Sequence, residues 1–166
     1  WSLPAITGIF STKKFKQINC FIGDGSFMMS MQELSVIKHL DIPVNIFLIN
    51  NSGYSMIKQT QDQWLNSTYA GSDTSYHLSF PDYKAIANSF GYEYEKIDTK
   101  NKNIANKTII FLKKRCPKII EVVVDPKARV IPQVKFGRPN EDMEPLLDDN
   151  QFREFMLIQS MRDLKE

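Results

Sequence analysis

The chain has 166 residues, 21 Lys and Arg against 19 Asp and Glu for a formal net charge of +2, and is 42% hydrophobic and 24% charged, the make-up of one ordinary soluble globular domain. Two cysteines and two histidines, with no CxxC and no Cys/His cluster, exclude a disulfide scaffold and argue against a zinc module, so both thiols read as reduced and a cytoplasmic origin is expected. The balanced charge carries no basic block of the kind nucleic-acid binders show, and no apolar run nears the roughly 18 to 20 residues of a membrane span, so neither nucleic acid nor membrane is an expected partner.

Lys16 to Ile22 reads as a short strand around Ile18, Cys20, Phe21 and Ile22 that stops in a tight turn at Gly23-Asp24-Gly25. After Ser26, the recurrence of Met31, Leu34 and Ile37 predicts a helix of about three turns ending near Asp41 and Pro43. Val44 to Ile49 is apolar almost throughout, as a strand covered on both faces would be. Asn50 to Ser79 is polar and carries little period beyond a helical turn near Ser55 to Gln61; loops of that length are usually functional. Tyr83, Ile86, Ala87 and Phe90 with Gly91 as a stop predict a helix, Tyr92 to Ile97 a strand, Ile104 to Lys114 a helix, and Lys118 to Val124 a further strand ended by Asp125-Pro126. This alternation predicts an α/β fold, an open, mostly parallel sheet with helices on both faces. Residues 1–126 are expected to form that domain, and 127–166 an extended tail with a terminal helix near Gln151 to Met161 packed on it. The start at Trp1 in place of a methionine suggests a processed product or a piece of something longer.

Gly-Asp-Gly alone is a common βα turn. Its position adds weight, because ligands of open parallel sheets bind outside the carboxyl ends of the strands, where Asp24 and Asn51 both fall. The 24 residues from 26 to 49 suffice for one helix and one returning strand, so a right-handed crossover brings the two side chains to one edge. An Asp oxygen, an Asn oxygen and a free carbonyl in the Ser52-Gly53 turn are hard ligands suited to Mg²⁺, with water and substrate phosphates completing the octahedron. Gly25 omits a Cβ where a phosphate could approach the backbone, and Ser26 adds a hydroxyl beside amides at a helix start. The only basic side chains between Asp24 and Asn51 are Lys38 and His39, so charge compensation would fall to metal and amides. Asn50-Asn51-Ser52-Gly53 taken alone is equally a polar turn.

Gly23-Asp24-Gly25-Ser26-Phe27 with Asn50-Asn51 resembles the thiamine diphosphate binding motif, and Met31-Gln32-Glu33-Leu34, Ile42-Pro43-Val44, Gly53-Tyr54 and Met56 resemble the acetolactate synthase branch of that superfamily. Leu3-Pro4-Ala5, which resembles a helix start of the family, Pro81-Asp82-Tyr83, Phe90-Gly91 and Glu121 to Pro126 extend the likeness from Ser2 to about Pro132. The resemblance implies the thiamine diphosphate-binding fold as the C-terminal, diphosphate-binding domain of a larger enzyme that decarboxylates and ligates 2-oxo acids. It implies thiamine diphosphate and Mg²⁺ as cofactors, with FAD open for a domain outside this chain. It places the metal on Asp24, Asn51 and the carbonyl of Gly53, the cofactor against Gly23, Asp24, Gly25, Ser26, Asn51, Gly53 and Tyr54, and the substrate near Met56 and Thr60.

The family's activating glutamate comes from a separate pyrimidine-binding domain, usually across a dimer interface, and the bulky residue that bends the cofactor would fall just before Trp1. This chain is therefore expected to hold no catalytic residue of its own, to need that companion domain within a homodimer or tetramer, and to show no turnover alone. Thr60 stands where anabolic acetolactate synthases carry a tryptophan, which opens the acceptor pocket and leaves acceptor preference undetermined. The tail Val134 to Pro139 also departs from the usual biosynthetic ending. Two other readings stay open: a noncatalytic binding module that retains the fold, and a thiamine-dependent 2-oxo acid decarboxylase. A doubly wound nucleotide binder is disfavoured because neither GxGxxG nor GxxxxGK[ST] occurs. His77 lacks a visible carboxylate partner for acid/base work, Lys113-Lys114-Arg115 reads as a helix end, and Trp64, Tyr69 and Tyr76 read equally as a substrate lid or as loop packing.

Overall fold

Alternation within β1 (Ile18–Gly23) sets the orientation of the central sheet: Ile18, Cys20 and Ile22 are buried while Asn19 and Phe21 face outward. The computed structural model describes residues 1–98, 105–135 and 137–161, with the side chains of 105–107 left aside, and divides the chain into two compact units, Trp1–Ala128 and Arg129–Glu166. In the first unit, β1 joins β2 (Val44–Asn50), β3 (Glu93–Asp98) and β4 (Lys118–Val123) in a four-stranded sheet of order β1-β2-β4-β3. Every pairing is parallel, with Cys20 opposite Ile46, Ile46 opposite Ile119 and Tyr94 opposite Ile119. The expected α/β architecture is the observed one.

One face of the sheet carries the core. Ile18, Cys20, Ile22, Val44, Ile46, Leu48 and Ile119 pack with Leu3 and Ile6 of α1 (Ser2–Ser11), Phe27 of α2 (Asp24–Met28), Leu34 and Ile37 of α3 (Glu33–His39), and Tyr83 and Ala87 of α5 (Tyr83–Ser89). Burial of that many large apolar side chains dominates the stabilisation, each fully buried Leu, Ile or Phe contributing about 1.5–3 kcal/mol. α5 starts on a side-chain cap, the Asp82 carboxylate accepting from the backbone amides of Lys84 and Ala85. On the opposite face, Ile109 and Leu112 of α6 (Ala105–Lys113) lie near Asn19, Phe21, Asn45 and Phe47. Lys118 is fully buried there because its ammonium donates to the carbonyls of Phe111 (3.0 Å) and Lys114 at the α6 terminus, where the helix dipole favours a cation. Phe21 and Phe47 stack at 4.7 Å on the same face.

Several elements differ from the sequence reading. The strand passes straight into α2 at Asp24 with no intervening tight turn, because Gly23 stays extended as the cap residue (φ −73°, ψ 157°). Ser26 therefore lies inside the helix. The single three-turn helix is two: residues 29–32 form turns in which Ser30, Glu33, Leu34 and Ser35 donate three residues back, and α3 starts only at Glu33. The break re-aims the chain so that both Phe27 and Leu34 reach the core. The polar stretch after Asn50 holds a full helix, α4 (Ser55–Trp64), and a 3₁₀ turn at Thr74–Tyr76. Helix α6 ends at Lys113, so Lys114 and Arg115 lie beyond it, and the expected start at Ile104 lies outside the described residues. In the second unit, β5 (Gln133–Val134) pairs antiparallel with β6 (Met143–Glu144), tied by Lys135–Glu144 at 2.6 Å. The terminal helix α7 (Asp149–Phe155) is shorter and earlier than expected, capped by the Asp148 carboxylate and ended at Met156 by extended backbone.

Candidate functional site

The carboxyl ends of β1 and β2 are adjacent in the sheet, and the residues that follow them form a cleft. Asp24, the first residue of α2, is 2% exposed. Its Oδ1 accepts the amide of Gly25 at 2.8 Å and its Oδ2 the amide of Asn51 at 3.1 Å. The two halves of the sequence pattern thus meet directly, carboxylate to loop backbone. Burial pushes the Asp24 carboxyl above its ordinary range, and the amides of Gly25, Asn51, Gly53 and Ser52 pull it back. Among the described residues, amides alone stabilise this carboxylate, which its surroundings hold out of water, so the site has room for positive charge.

The loop after β2 is held in an unusual shape by its own side chains. Asn50 Oδ1 accepts the amide of Ser52 at 3.0 Å, an Asx turn that keeps Ser52 at φ +55°. Gly53 then pairs with Asp73, and Tyr54 N–H donates to Ser72 O at 3.0 Å. A side chain at Gly53 would sit 3.0 Å from Ser72 O, so the glycine permits this close backbone approach. The side-chain oxygen of Asn51 is buried and has no hydrogen-bond partner among the described residues, a costly arrangement unless a ligand satisfies it.

Gly23, Gly25, Ser26, Asn51, Gly53, Tyr54 and Met56 line a cleft of about 340 Å³ together with Met29, Ser55 and Ile57. Asp24 lies behind it, bonded to Asn51, and Thr60 is exposed one turn along α4, its hydroxyl on Met56 O at 3.1 Å. The space left by the missing Cβ of Gly25 holds the Tyr54 ring: a Cβ there would stand 2.2 Å from Tyr54 Cε1. The edge of that ring system in turn meets Phe80, with centroids 6.3 Å apart.

Residues missed in the sequence lie around this frame. Lys58 is buried and pairs with Asp73 at 2.5 Å, its ammonium 3.7 Å from where a Gly53 Cβ would be. The pair holds the 70–73 segment against the Gly53 turn, and Lys58 holds the Asp73 carboxyl down at about 2. The helical turn expected near Ser55 to Gln61 contains Lys58 but gives no sign that its side chain is buried. Tyr69 is tied to Asp62 at 2.5 Å, whereas Trp64, Tyr76 and His77 are exposed, His77 being the left-handed residue after the 3₁₀ turn. Among the described residues no group of three or more His, Cys, Asp or Glu side chains could hold a metal, so a metal here would need the mixed set of one carboxylate, one amide oxygen and a carbonyl.

The model of the family described as "Thiamine pyrophosphate enzyme, C-terminal TPP binding domain" matches residues 1–122. The chain belongs to this family. An acetolactate synthase large subunit of Cyanidium caldarium is 29% identical over 86% of the chain and 24% of its own length. A probable acetolactate synthase large subunit of Methanocaldococcus jannaschii is 30% identical over 100% of the chain and 28% of its own length, and the isozyme 2 large subunit of Escherichia coli is 29% identical over 86% and 25%. The chain thus spans about a quarter of the length of the relatives it matches. The residues that line the cleft fall within the stretch that this family's model matches. Among the described residues no helix is long and apolar enough to cross a membrane.

Proposed function

We propose that the cleft takes the diphosphate end of thiamine diphosphate through one Mg²⁺ held by Asp24, Asn51 and the carbonyl of Gly53. The observation that carries this is the buried, unpartnered Asn51 Oδ1 beside a buried Asp24 carboxylate. A hard divalent cation satisfies both, supplies positive charge, and accepts such an oxygen set. Gly23, Gly25, Ser26 and Tyr54 would bound the diphosphate. When bound, the cofactor supplies a carbanion sink for 2-oxo acid chemistry. The chain's own residues bind and orient: Asp24 fixes the loop through Asn51 N–H, the Lys58–Asp73 pair backs the Gly53 turn, and Met29, Met56 and Ile57 offer apolar surface to exclude water.

In this reading the whole protein is a lyase or transferase acting on 2-oxo acids by decarboxylation and carboligation. It works in the cytoplasm as a homodimer or tetramer, a companion pyrimidine-binding domain supplies the activating glutamate, and FAD belongs, where used, to another domain. Exposed Met56 and Thr60 on α4 give an acceptor side open enough for a bulky substrate, or for a decarboxylase that uses no acceptor. The test is thermal unfolding with and without Mg²⁺ plus thiamine diphosphate, since a ligand that binds only the native state raises the melting temperature. A rise that requires the metal and disappears in Asp24→Ala is expected; no rise with a protein that includes the companion domain would overturn the assignment. Turnover of pyruvate by the isolated chain would refute the need for that domain.

A further inference from the structure

Glu121 lies on β4, on the core face of the sheet, opposite Leu48 of β2, and is 3% exposed. A buried carboxylate needs a reason, and its partners supply one. Glu121 Oε1 accepts from Asn50 Nδ2 at 2.8 Å and from the half-exposed Lys96 at 3.1 Å, and Oε2 accepts from the Tyr94 hydroxyl. Asn50 is the last residue of β2, and the other atom of its amide, Oδ1, is the acceptor that shapes the Ser52 turn. An amide has one oxygen and one NH₂ group, so fixing the NH₂ on Glu121 forces the oxygen toward Ser52. The backbone of Asn50 is anchored just past the end of the same strand, its carbonyl accepting from Val124 N–H at 2.9 Å.

We infer that Glu121 is a positioning residue for the Asn51–Gly53 ligand loop: through Asn50 it holds Ser52 in its left-handed conformation and thereby aims Asn51 Oδ1 and the Gly53 carbonyl into the cleft. The inference rests on the metal reading of the cleft for its consequence, and on hydrogen-bond geometry alone for the link from Glu121 to Ser52. Lys96 and Tyr94 orient the carboxylate rather than the loop. Carboxylates that orient ligands of a metal from behind commonly change metal affinity by about 10- to 100-fold when removed.

The polarity of the pair allows a test that leaves side-chain volume nearly unchanged. Asn50→Asp puts an oxygen where Glu121 needs a donor. Combining it with Glu121→Gln restores a donor and acceptor in reversed order, the glutamine NH₂ donating to the new carboxylate and its one oxygen left to accept from Tyr94. Two readouts apply to the full chain: exchange of the Ser52 amide hydrogen by NMR, and Mn²⁺ affinity by electron paramagnetic resonance in the presence of thiamine diphosphate. Asn50→Asp and Glu121→Ala are expected to speed Ser52 exchange and weaken Mn²⁺ binding about tenfold or more, and the double variant to recover both. Unchanged Ser52 exchange in Asn50→Asp, or no recovery in the double variant, overturns the inference. Faster exchange with unaltered Mn²⁺ affinity overturns its link to the site. If the wild-type protein, with its companion domain present, binds Mn²⁺ no better than Asp24→Ala, the metal reading fails instead, and Ser52 exchange still decides whether Glu121 governs the loop. The volume-conserving pair keeps the test usable where Glu121→Ala fails to fold.

Discussion

Gly25→Ala separates a steric role from a binding role at the cleft. Gly25 has ordinary negative φ and lies inside α2, where alanine is the better helix former by up to about 1 kcal/mol. Against this gain stands the Tyr54 ring, whose Cε1 and Cδ1 would be 2.2 and 2.7 Å from the new Cβ, while carbon atoms pack at about 3.5–4.0 Å. The ring must retreat by over about 1 Å, which disturbs its edge contact with Phe80. Overpacking of this kind costs about 1–3 kcal/mol and an edge contact is worth about 0.5–1.5 kcal/mol. The net expectation is a destabilisation of about 1–2 kcal/mol, or a fall in melting temperature of about 2–8 °C for a chain of this size. The decisive comparison is a four-member cycle followed by circular dichroism: wild type, Gly25→Ala, Tyr54→Ala and both. With the ring gone, alanine at 25 meets no clash, so its effect should reverse sign and stabilise the Tyr54→Ala background by a few tenths to about 1 kcal/mol. Additive effects across the cycle, or a neutral Gly25→Ala single variant, would refute the claim that Tyr54 is what the glycine accommodates.

Protonation should oppose metal binding at Asp24. Because burial raises its folded carboxyl pKa, ionised Asp24 costs the metal-free fold at neutral pH and protonation relieves that cost in acid. The melting shift produced by Mg²⁺ with thiamine diphosphate should therefore be large at pH 7, shrink as the pH falls through the folded pKa, and be absent in Asp24→Asn at every pH; a pH-independent shift would exclude Asp24 as a ligand. Asp73 has the opposite sign: its folded pKa is lowered from 3.8 to about 2 by Lys58, so its stabilisation is present above about pH 4 and is lost on acidification toward pH 2. Urea titrations at pH 5, 3 and 2, as set by the handling of carboxylates, should show a shallower acid dependence in Asp73→Asn, and an identical slope would count against the ion pair. In the core, Leu34→Ala removes a fully buried side chain and should cost about 2–5 kcal/mol in urea unfolding, whereas Met29→Ala at the 76% exposed cleft rim should stay within about 0.5 kcal/mol; comparable losses would show that the core is misplaced.

The parts of the fold legible in the sequence were those where burial imposes a pattern. The Ile18, Cys20, Ile22 alternation and the apolar run Val44 to Ile49 led to β1 and β2, and the spacing of Tyr83, Ile86, Ala87 and Phe90 to α5. Where polar side chains do the organising, the pattern was silent. α4 buries Lys58, Gln59 and Gln61, residues that no apolar template registers; the Lys58 head pairs with Asp73, and that of Gln61 donates to Ala70 O and accepts from the Ser72 hydroxyl. The break between α2 and α3 was equally invisible, since Met28 to Gln32 holds no glycine or proline and the turns there arise from the need to bury Phe27 and Leu34 together. At the site, Asp24 and Asn51 could be paired on paper by the length of one crossover. Glu121 could not, because it belongs to a strand 71 positions beyond Asn50 and reads locally as one charge in an apolar run.

That difference follows from the strand order. Because β4 lies between β2 and β3, the loop bearing Asn51 is flanked by Asp24 from β1 on one side and supported by Glu121 from β4 on the other. Asp24 and Glu121 are both buried carboxylates, yet their surroundings assign them different work. Glu121 finds three donors, an amide, a phenol and an ammonium, and is complete as it stands, so it can act as a fixed support. Among the described residues Asp24 finds only backbone amides, and the Asn51 oxygen has no partner, so Asp24 remains the group with capacity for a cation. A satisfied carboxylate behind the loop and an unsatisfied one in front of it make a site whose geometry is set before the ligand arrives, and the binding free energy need not then be spent on ordering the loop.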